Sequence, residues 1–282
     1  MSEKSQYVVS ADWLEEHLQD PGLIVIDGSW YLPAQNRNAR EEYDQSHIPG
    51  AIFFDHDVVV DPDSDLPHTI PSPVIFEEHA SAMGISRHDT IVVYDGPGMF
   101  TAPRVWWLFK TFGAEKVFVL GGGFDRWKDA GRPVTDAPTK TAACAFIPIY
   151  DDGQVVKLHG MMGLVSSGIG QIADARSNGR FSGVEAEPRE GVRGGHMPGA
   201  VNLPFSELVE DGNLKDLDTL EQIITESGLD LTKPIVTTCG SGVTAAVINL
   251  ALSSLGRSDS RLYDGSWTEW GSHGDTTVEK AK

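Results

Sequence analysis

The chain has 282 residues, of which 40% are hydrophobic and 22% are charged, and its formal net charge is −19. These proportions are typical of globular proteins and exclude a disordered chain, and the length suits two domains of ordinary size. The negative charge argues against binding to nucleic acid or anionic membranes, so an anionic ligand would need a local cluster of arginines.

The chain has no apolar run of about 18 residues, the length that predicts a membrane span. The N-terminus has no apolar segment of the signal-peptide type, so we expect a cytoplasmic protein. Cys144 and Cys239 are the two cysteines, and they lie in different sequence contexts. We therefore expect neither a structural disulfide nor a zinc site.

In chain order, short β-branched runs alternate with helical stretches, which predicts parallel sheets covered by helices on both faces. The carboxyl ends of such strands are where ligands bind. The predicted strands are Leu23–Asp27, Ile91–Asp95, Gln171–Asp174 and Ile235–Thr238. The predicted helices are Ala11–Leu18, Pro73–Gly84, Ala102–Phe112, Asp218–Ser227 and Ala245–Leu255.

The sequence also contains an internal repeat. The motif His-x-Pro-Gly-Ala begins at His47 and again at His196, each time a similar distance after a strand that ends in aspartate. The strand ending at Asp95 aligns with the strand leading to Cys239. Landmarks in the same order indicate a duplicated domain. We predict an N-terminal domain at residues 1–135, a linker rich in Pro, Thr and Ala at 136–153, and a C-terminal domain at 154–282.

The stretch from Pro234 to Ala245 carries the strongest chemical signal. A predicted buried strand leads into a loop that opens with Cys239, and a helix follows. Gly240 and Gly242 allow the loop N–H groups to turn toward the cysteine sulfur, and the helix N-terminus adds partial positive charge. Both effects stabilise the thiolate, which is the reactive form. The residues alone leave open the alternative that Cys239 is a small buried residue with no chemical role.

The first copy has Asp95 where the second has Cys239, in a loop of different composition. Because aspartate cannot perform thiolate chemistry, we predict that the N-terminal domain is catalytically silent at this position. The two repeated histidines, His47 and His196, are interpreted as turn residues because they recur in the silent copy.

The tandem domains, the repeated motif and the single cysteine loop resemble the two-domain rhodanese family over nearly the whole chain. The loop from Cys239 to Ala245 is similar to that of members that use 3-mercaptopyruvate, whereas members that use thiosulfate have basic residues after the cysteine. The resemblance implies an α/β fold of two rhodanese-like domains and sulfur transfer through a cysteine persulfide, without a metal or organic cofactor. It also implies release of pyruvate and a thiol, thioredoxin-like or cyanide acceptor.

The resemblance assigns roles to further residues. It implies that Arg180 and Arg189 hold the carboxylate and keto oxygen of the substrate, and that Asp57, His68 and Ser241 act together in proton transfer. The loop residues expected to contact the substrate or the transferred sulfur are Gly240, Gly242, Val243 and Thr244.

Alternatives remain for several of these residues. Arg104 is either part of the site wall or a partner in an inter-domain ion pair, and Arg180, Arg189 and His68 could be ordinary surface residues. A cysteine phosphatase is disfavoured because Ala245 stands where its loop needs arginine. A non-catalytic binding module would have lost the cysteine. A thiosulfate sulfurtransferase is the runner-up.

Overall fold

The computed structural model describes residues 3–280, which form two five-stranded sheets and one small hairpin. The first sheet contains β1 (Val8–Val9), β2 (Leu23–Asp27), β3 (Ile52–Phe53), β4 (Thr90–Tyr94) and β5 (Lys116–Leu120). The second sheet begins with β6 (Val155–Val156), β7 (Gln171–Asp174) and β8 (Ala200–Asn202). The hairpin is β9 (Val209–Glu210) and β10 (Asn213–Leu214), and the second sheet ends with β11 (Ile235–Thr238) and β12 (Arg261–Tyr263).

Both large sheets are parallel throughout and share one strand order. The order is β1-β5-β4-β2-β3 in the first sheet and β6-β12-β11-β7-β8 in the second. Each strand of one sheet therefore has a counterpart at the same place in the other. The strand before Asp95 and the strand before Cys239 are both central, so the shared order agrees with the duplication predicted from the sequence motifs.

The five predicted helices begin within one residue of their predicted starts and end within two residues of their predicted ends. The helices are α1 (Ala11–His17), α2 (Ala39–Gln45), α3 (Pro73–Ala82), α4 (Ala102–Thr111), α5 (Gly123–Asp129), α6 (Leu158–Ser167), α7 (Asn178–Ser182), α8 (Leu217–Glu226), α9 (Ala245–Ser254) and α10 (Ser266–Ser272). Ser10, Ser72 and Asp216 cap α1, α3 and α8 by accepting a backbone N–H.

Alternate residues of β4 enter different cores, as a buried parallel strand requires. Ile91 and Val93 pack in one cluster, and Val92 and Tyr94 pack in another with Leu14 of α1. Helices therefore cover both faces of the sheet, which confirms the predicted fold class. The larger cluster runs without a break from the first sheet into the second, because it includes apolar side chains of both α4 and α9.

The hairpin was not predicted, and it connects the two halves of the molecule. Its turn residue Gly212 accepts a hydrogen bond of 2.9 Å from the backbone N–H of Gly122, and Asp211 forms an ion pair of 2.7 Å with Arg126. No helix within residues 3–280 combines the length and apolar character that a membrane crossing needs.

Candidate active site

Cys239 lies at the carboxyl end of the central strand β11, where six residues separate the strand from α9 when the cysteine is counted. Its side chain is buried, with 1% exposure. Its backbone N–H donates to Ser266 Oγ at 3.2 Å, and its carbonyl accepts from Trp267 N at 2.9 Å. These two bonds attach the start of the loop to α10, which fixes the position of the sulfur relative to the sheet.

The loop that begins at Cys239 has backbone donors that no other backbone group in the described part of the chain occupies. Within residues 3–280, none of the N–H groups from Gly240 through Ala245 donates to another backbone group. Gly242 takes the left-handed conformation with φ 78°, which a glycine adopts without strain. These N–H groups are therefore available to donate to an anion that forms at the loop.

Ser241, His68 and Asp57 form a continuous hydrogen-bonded chain. His68 Nδ1 lies 3.0 Å from Ser241 Oγ, and His68 Nε2 lies 3.2 Å from Asp57 Oδ1. The hydrogen bond from His68 lowers the pKa of the Asp57 carboxyl, although burial acts in the opposite direction. Trp30 donates to the other carboxylate oxygen at 3.1 Å and packs edge-on against His68. The N-terminal domain thus supplies two members of the chain, and the cysteine loop supplies the third.

Arg180 is held by a carboxylate. Glu187 Oε2 accepts from Arg180 Nη2 at 2.5 Å and from Nε at 3.2 Å, while Glu187 Oε1 accepts from the fully buried Arg176 at 2.7 Å. Arg176 also pairs with Asp174 at 2.6 Å. The guanidinium of Arg180 reaches the cysteine loop, since a Cβ added at Gly240 would lie 2.9 Å from Arg180 Nη2.

Arg189 differs from Arg180 because no carboxylate within residues 3–280 forms a salt bridge with it. Its polar contact is a long one of 3.5 Å to Thr268 Oγ1, and that hydroxyl donates to the Gly240 carbonyl at 2.6 Å. Burial lowers the pKa of the Arg189 guanidinium, and the nearby Arg180 acts in the same direction, whereas Cys239 raises it. The site therefore contains a half-buried cation that an anionic ligand would stabilise.

A cavity of about 180 Å³ opens beside Cys239. The C-terminal domain contributes its charged groups, and the N-terminal domain contributes an apolar side. Predicted residues that line it are Arg180, Arg189, Cys239, Gly240, Ser241, Val243 and Thr244. Gly242, His68, Asp57 and Arg104 lie outside the lining. Residues that the sequence did not single out include Trp30, Leu32, Phe100, Arg176 and Phe205.

Arg104 is a partner in an ion pair between the domains and is not part of the cavity wall. It is 1% exposed, and its Nη2 donates to Asp264 Oδ1 at 2.9 Å and to the His68 carbonyl at 2.7 Å. Arg104 belongs to the N-terminal sheet's helix α4, and Asp264 follows β12, so the pair joins the two domains. The sequence offered no signal that Asp264 meets Arg104.

The corresponding loop of the N-terminal domain is filled by one of its own side chains. The Asp95 carboxylate accepts four backbone N–H bonds, from Gly98 at 2.6 Å, Phe100 at 2.9 Å, Thr101 at 2.7 Å and Ala102 at 2.7 Å. Burial raises the pKa of Asp95, and these donors oppose that effect. Four backbone donors of this loop therefore converge on one side-chain acceptor.

The repeated histidines have structural contacts. His47 Nδ1 lies 2.7 Å from the Tyr43 carbonyl, and His196 Nδ1 lies 2.9 Å from the Phe181 carbonyl. Cys144 is exposed and, like Cys239, forms no disulfide. Within residues 3–280, no three His, Cys, Asp or Glu side chains converge to hold a metal ion.

The chain matches a family model described as Rhodanese-like domain at residues 10–130 and again at 159–273. It is 42% identical to the 3-mercaptopyruvate sulfurtransferase of Escherichia coli K12, covering 98% of this chain and 99% of that protein. It is also 42% identical to the thiosulfate sulfurtransferase of Gallus gallus, covering 93% and 92%. The crystal structure of the 3-mercaptopyruvate sulfotransferase SseA from Escherichia coli superposes with a TM-score of 0.84 at 42% identity, covering 93% of this chain and 98% of that one. Because both of its halves match that model, the chain belongs to the rhodanese family.

Proposed function

We propose that the protein is a 3-mercaptopyruvate sulfurtransferase. The observation that carries this proposal is Arg189, a half-buried guanidinium without a carboxylate partner in the described part of the chain, in the same cavity as Cys239 and Arg180. An α-keto acid has a carboxylate and a carbonyl oxygen that two adjacent guanidinium groups can bind. Relatives that bear this activity in their names cover nearly the whole chain, which supports the same assignment.

In the first half-reaction, the Cys239 thiolate attacks the sulfur of 3-mercaptopyruvate. A sulfur–sulfur bond forms and the carbon–sulfur bond breaks, so its electron pair leaves on the pyruvate enolate. The thiol proton of the substrate remains on the transferred sulfur until that proton is transferred to the enolate. The loop N–H groups from Gly240 to Thr244 stabilise the persulfide anion that results.

Ser241 lines the cavity beside Cys239 and is hydrogen-bonded to His68, so it is suited to move that proton. Transfer of the proton from the persulfide to the enolate carbon gives pyruvate and leaves the persulfide as an anion. Asp57 stabilises the positive charge that His68 carries during this transfer. No charge is created or lost in the overall step.

In the second half-reaction, an acceptor thiol, a thioredoxin-like protein or cyanide removes the outer sulfur and restores Cys239. The cycle is therefore ping-pong. We assign sulfur transfer to the domain at 154–282, and the apolar side of the cavity together with His68 and Asp57 to the domain at 1–135. Both cysteines are free, which suits a reducing compartment, so we place the activity in the cytoplasm.

Thiosulfate is the second candidate donor because a relative named for it is 42% identical to this chain. Its sulfonate would gain from positive charge next to the cysteine, but Gly240 and Ser241 are uncharged. A side chain at position 240 would also meet the Arg180 guanidinium, so a basic residue there requires Arg180 to move.

The test is turnover of the purified protein with each donor, measured as pyruvate release and thiocyanate formation with cyanide as acceptor. We expect kcat/KM for 3-mercaptopyruvate to exceed that for thiosulfate by at least about tenfold, equivalent to roughly 1.4 kcal/mol of transition-state binding. Equal or reversed values would replace the proposal with the thiosulfate activity.

A further inference from the structure

Arg104 and Asp264 form a buried ion pair directly behind the catalytic loop. Both are nearly inaccessible, with exposures of 1% and 4%. The Arg104 guanidinium also lies 4.7 Å from the ring centre of Trp107, so its face is covered. Neither residue lines the cavity, and so neither can touch the substrate.

The pair holds the segment around His68 from two directions. Arg104 Nη2 donates to the His68 carbonyl at 2.7 Å, and Asp264 Oδ2 accepts from the Ile70 N–H at 2.8 Å. His68 itself has φ 59°, a left-handed conformation that is unfavourable for a residue with a Cβ. Such a conformation persists where surrounding contacts hold it, and these two hydrogen bonds are contacts of that kind.

The same guanidinium approaches the cysteine loop. Arg104 Nη1 lies 3.4 Å from the Gly242 carbonyl, next to Ser241. One side chain therefore contacts the backbone beside both partners of the His68–Ser241 hydrogen bond. Those partners come from different domains, so their 3.0 Å separation depends on how the domains meet.

We propose that Arg104 and Asp264 are positioning residues for proton transfer, which keep His68 within hydrogen-bond distance of Ser241 across the domain interface. This inference rests on the proposed function, because proton transfer is needed with 3-mercaptopyruvate only. With thiosulfate, Cys239 takes the outer sulfur, sulfite leaves with the bonding electron pair, and no proton moves. Loss of the pair should therefore lower turnover of 3-mercaptopyruvate and leave turnover of thiosulfate nearly unchanged.

The experiment compares the wild-type protein with Arg104→Gln combined with Asp264→Asn. Both charges are removed together, because removing one would leave the other buried and unpaired. The side-chain amide introduced at position 264 keeps an oxygen for the Ile70 N–H. We expect kcat for 3-mercaptopyruvate to fall about 10- to 100-fold with little change in KM, since a small displacement of a catalytic group can cost that much. Thiosulfate turnover by the variant should stay within about threefold of the wild-type value. This turnover also shows whether the variant is correctly folded.

Two further variants decide whether the effect passes through His68. In a His68→Ala background, adding the paired substitution should cause no further loss with 3-mercaptopyruvate, because the two changes remove the same function. The matched control is Arg126→Gln with Asp211→Asn, which removes another ion pair between the same domains, away from the cysteine. This control should leave both donors unchanged.

Equal losses with both donors, or a further loss in the His68→Ala background, would overturn the positioning role while leaving the proposed function intact. A wild-type protein that turns over thiosulfate but not 3-mercaptopyruvate would overturn both. A variant that loses thiosulfate turnover together with its folded structure would assign the pair to stability and so also reject the inference.

Discussion

Glu187 holds Arg180 by two hydrogen bonds to one carboxylate oxygen, at 2.5 and 3.2 Å. Because Arg180 is already partly neutralised, the charge available to a substrate comes mainly from Arg189. Arg180 and Arg189 are therefore not equivalent, although the sequence places them in one short stretch. Arg189 should discriminate between donors, and Arg180 should depend on Glu187 for its position.

Arg189→Ala should lower kcat/KM for 3-mercaptopyruvate about 10²-fold or more. A charge-assisted hydrogen bond contributes roughly 1.5 to 3 kcal/mol, and a misaligned substrate loses further rate. Thiosulfate should be affected less, because it relies on the loop N–H groups. Steady-state kinetics with both donors check this, with Arg189→Lys as the control that keeps the charge. Equal losses at an unchanged Tm would make Arg189 a general element of the site, and a lower Tm with normal kinetics would make it structural.

Glu187→Gln should raise KM for 3-mercaptopyruvate about tenfold and lower the free energy of unfolding by roughly 3 kcal/mol. The Glu187 side chain is 3% exposed and contacts both Arg176 and Arg180, so its loss leaves buried positive charge uncompensated. Chemical denaturation and donor titrations give the two values. Glu190→Gln, at an exposed position in the same segment, is the matched control. An unchanged KM would show that Arg180 keeps its position without the carboxylate.

Treatment with 3-mercaptopyruvate in the absence of an acceptor should add one sulfur atom to Cys239 and none to Cys144. Cys239 has the loop N–H groups to stabilise a persulfide, whereas Cys144 is exposed in the segment between the sheets. Peptide mass spectrometry locates the added mass, and Cys144→Ser should leave the result unchanged. Addition at Cys144 alone would contradict the assignment.

Acid should destabilise the protein through His56. Burial lowers the pKa of His56 to about 3, and the neighbouring His68 acts in the same direction. The unfolded state then binds a proton near pH 6.5 that the folded state does not bind until much lower pH, so stability is full above pH 6.5 and is lost as the pH falls. Between pH 7.5 and 5 this amounts to about 2 kcal/mol.

His56→Gln tests this expectation, because glutamine can donate to the Gly28 carbonyl, which His56 Nε2 approaches at 2.8 Å, but cannot be protonated. The free energy of unfolding of the variant should depend less on pH than that of the wild-type protein. Denaturant titrations at pH 7.5 and pH 5 give the comparison. Identical pH dependence in both proteins would mean that the pKa of His56 is the same in the folded and unfolded states, which would contradict the prediction.

Local patterns were sufficient to predict the central strands, the helix starts and the cysteine loop, because residue composition, hydrophobic runs and glycine positions are properties of neighbouring residues. The repeat predicted a duplicated domain, and the strand order shared by the two sheets agrees with it. The contact of His68 with Ser241 joins residues from different domains, and only the family resemblance placed them together. The partnership of Arg104 with Asp264 and the contact of Gly212 with Gly122 had no sequence signal, since both depend on the way two sheets meet.

The loop of the N-terminal domain is permanently occupied by the carboxyl group of Asp95. In the proposed cycle Cys239 alternates between a thiolate and a longer persulfide anion, so the size of the group in its loop changes twice per turnover. The Asp95 carboxylate is covalently part of the chain and binds the N–H groups of Thr101 and Ala102 at the start of α4. The first residues of α4, the helix that carries Arg104, therefore have the same hydrogen-bond acceptor before and after sulfur transfer. The two copies therefore differ in what their central loops contain, which is a fixed carboxyl group in the N-terminal copy and a cysteine, the proposed carrier of the transferred sulfur, in the C-terminal copy.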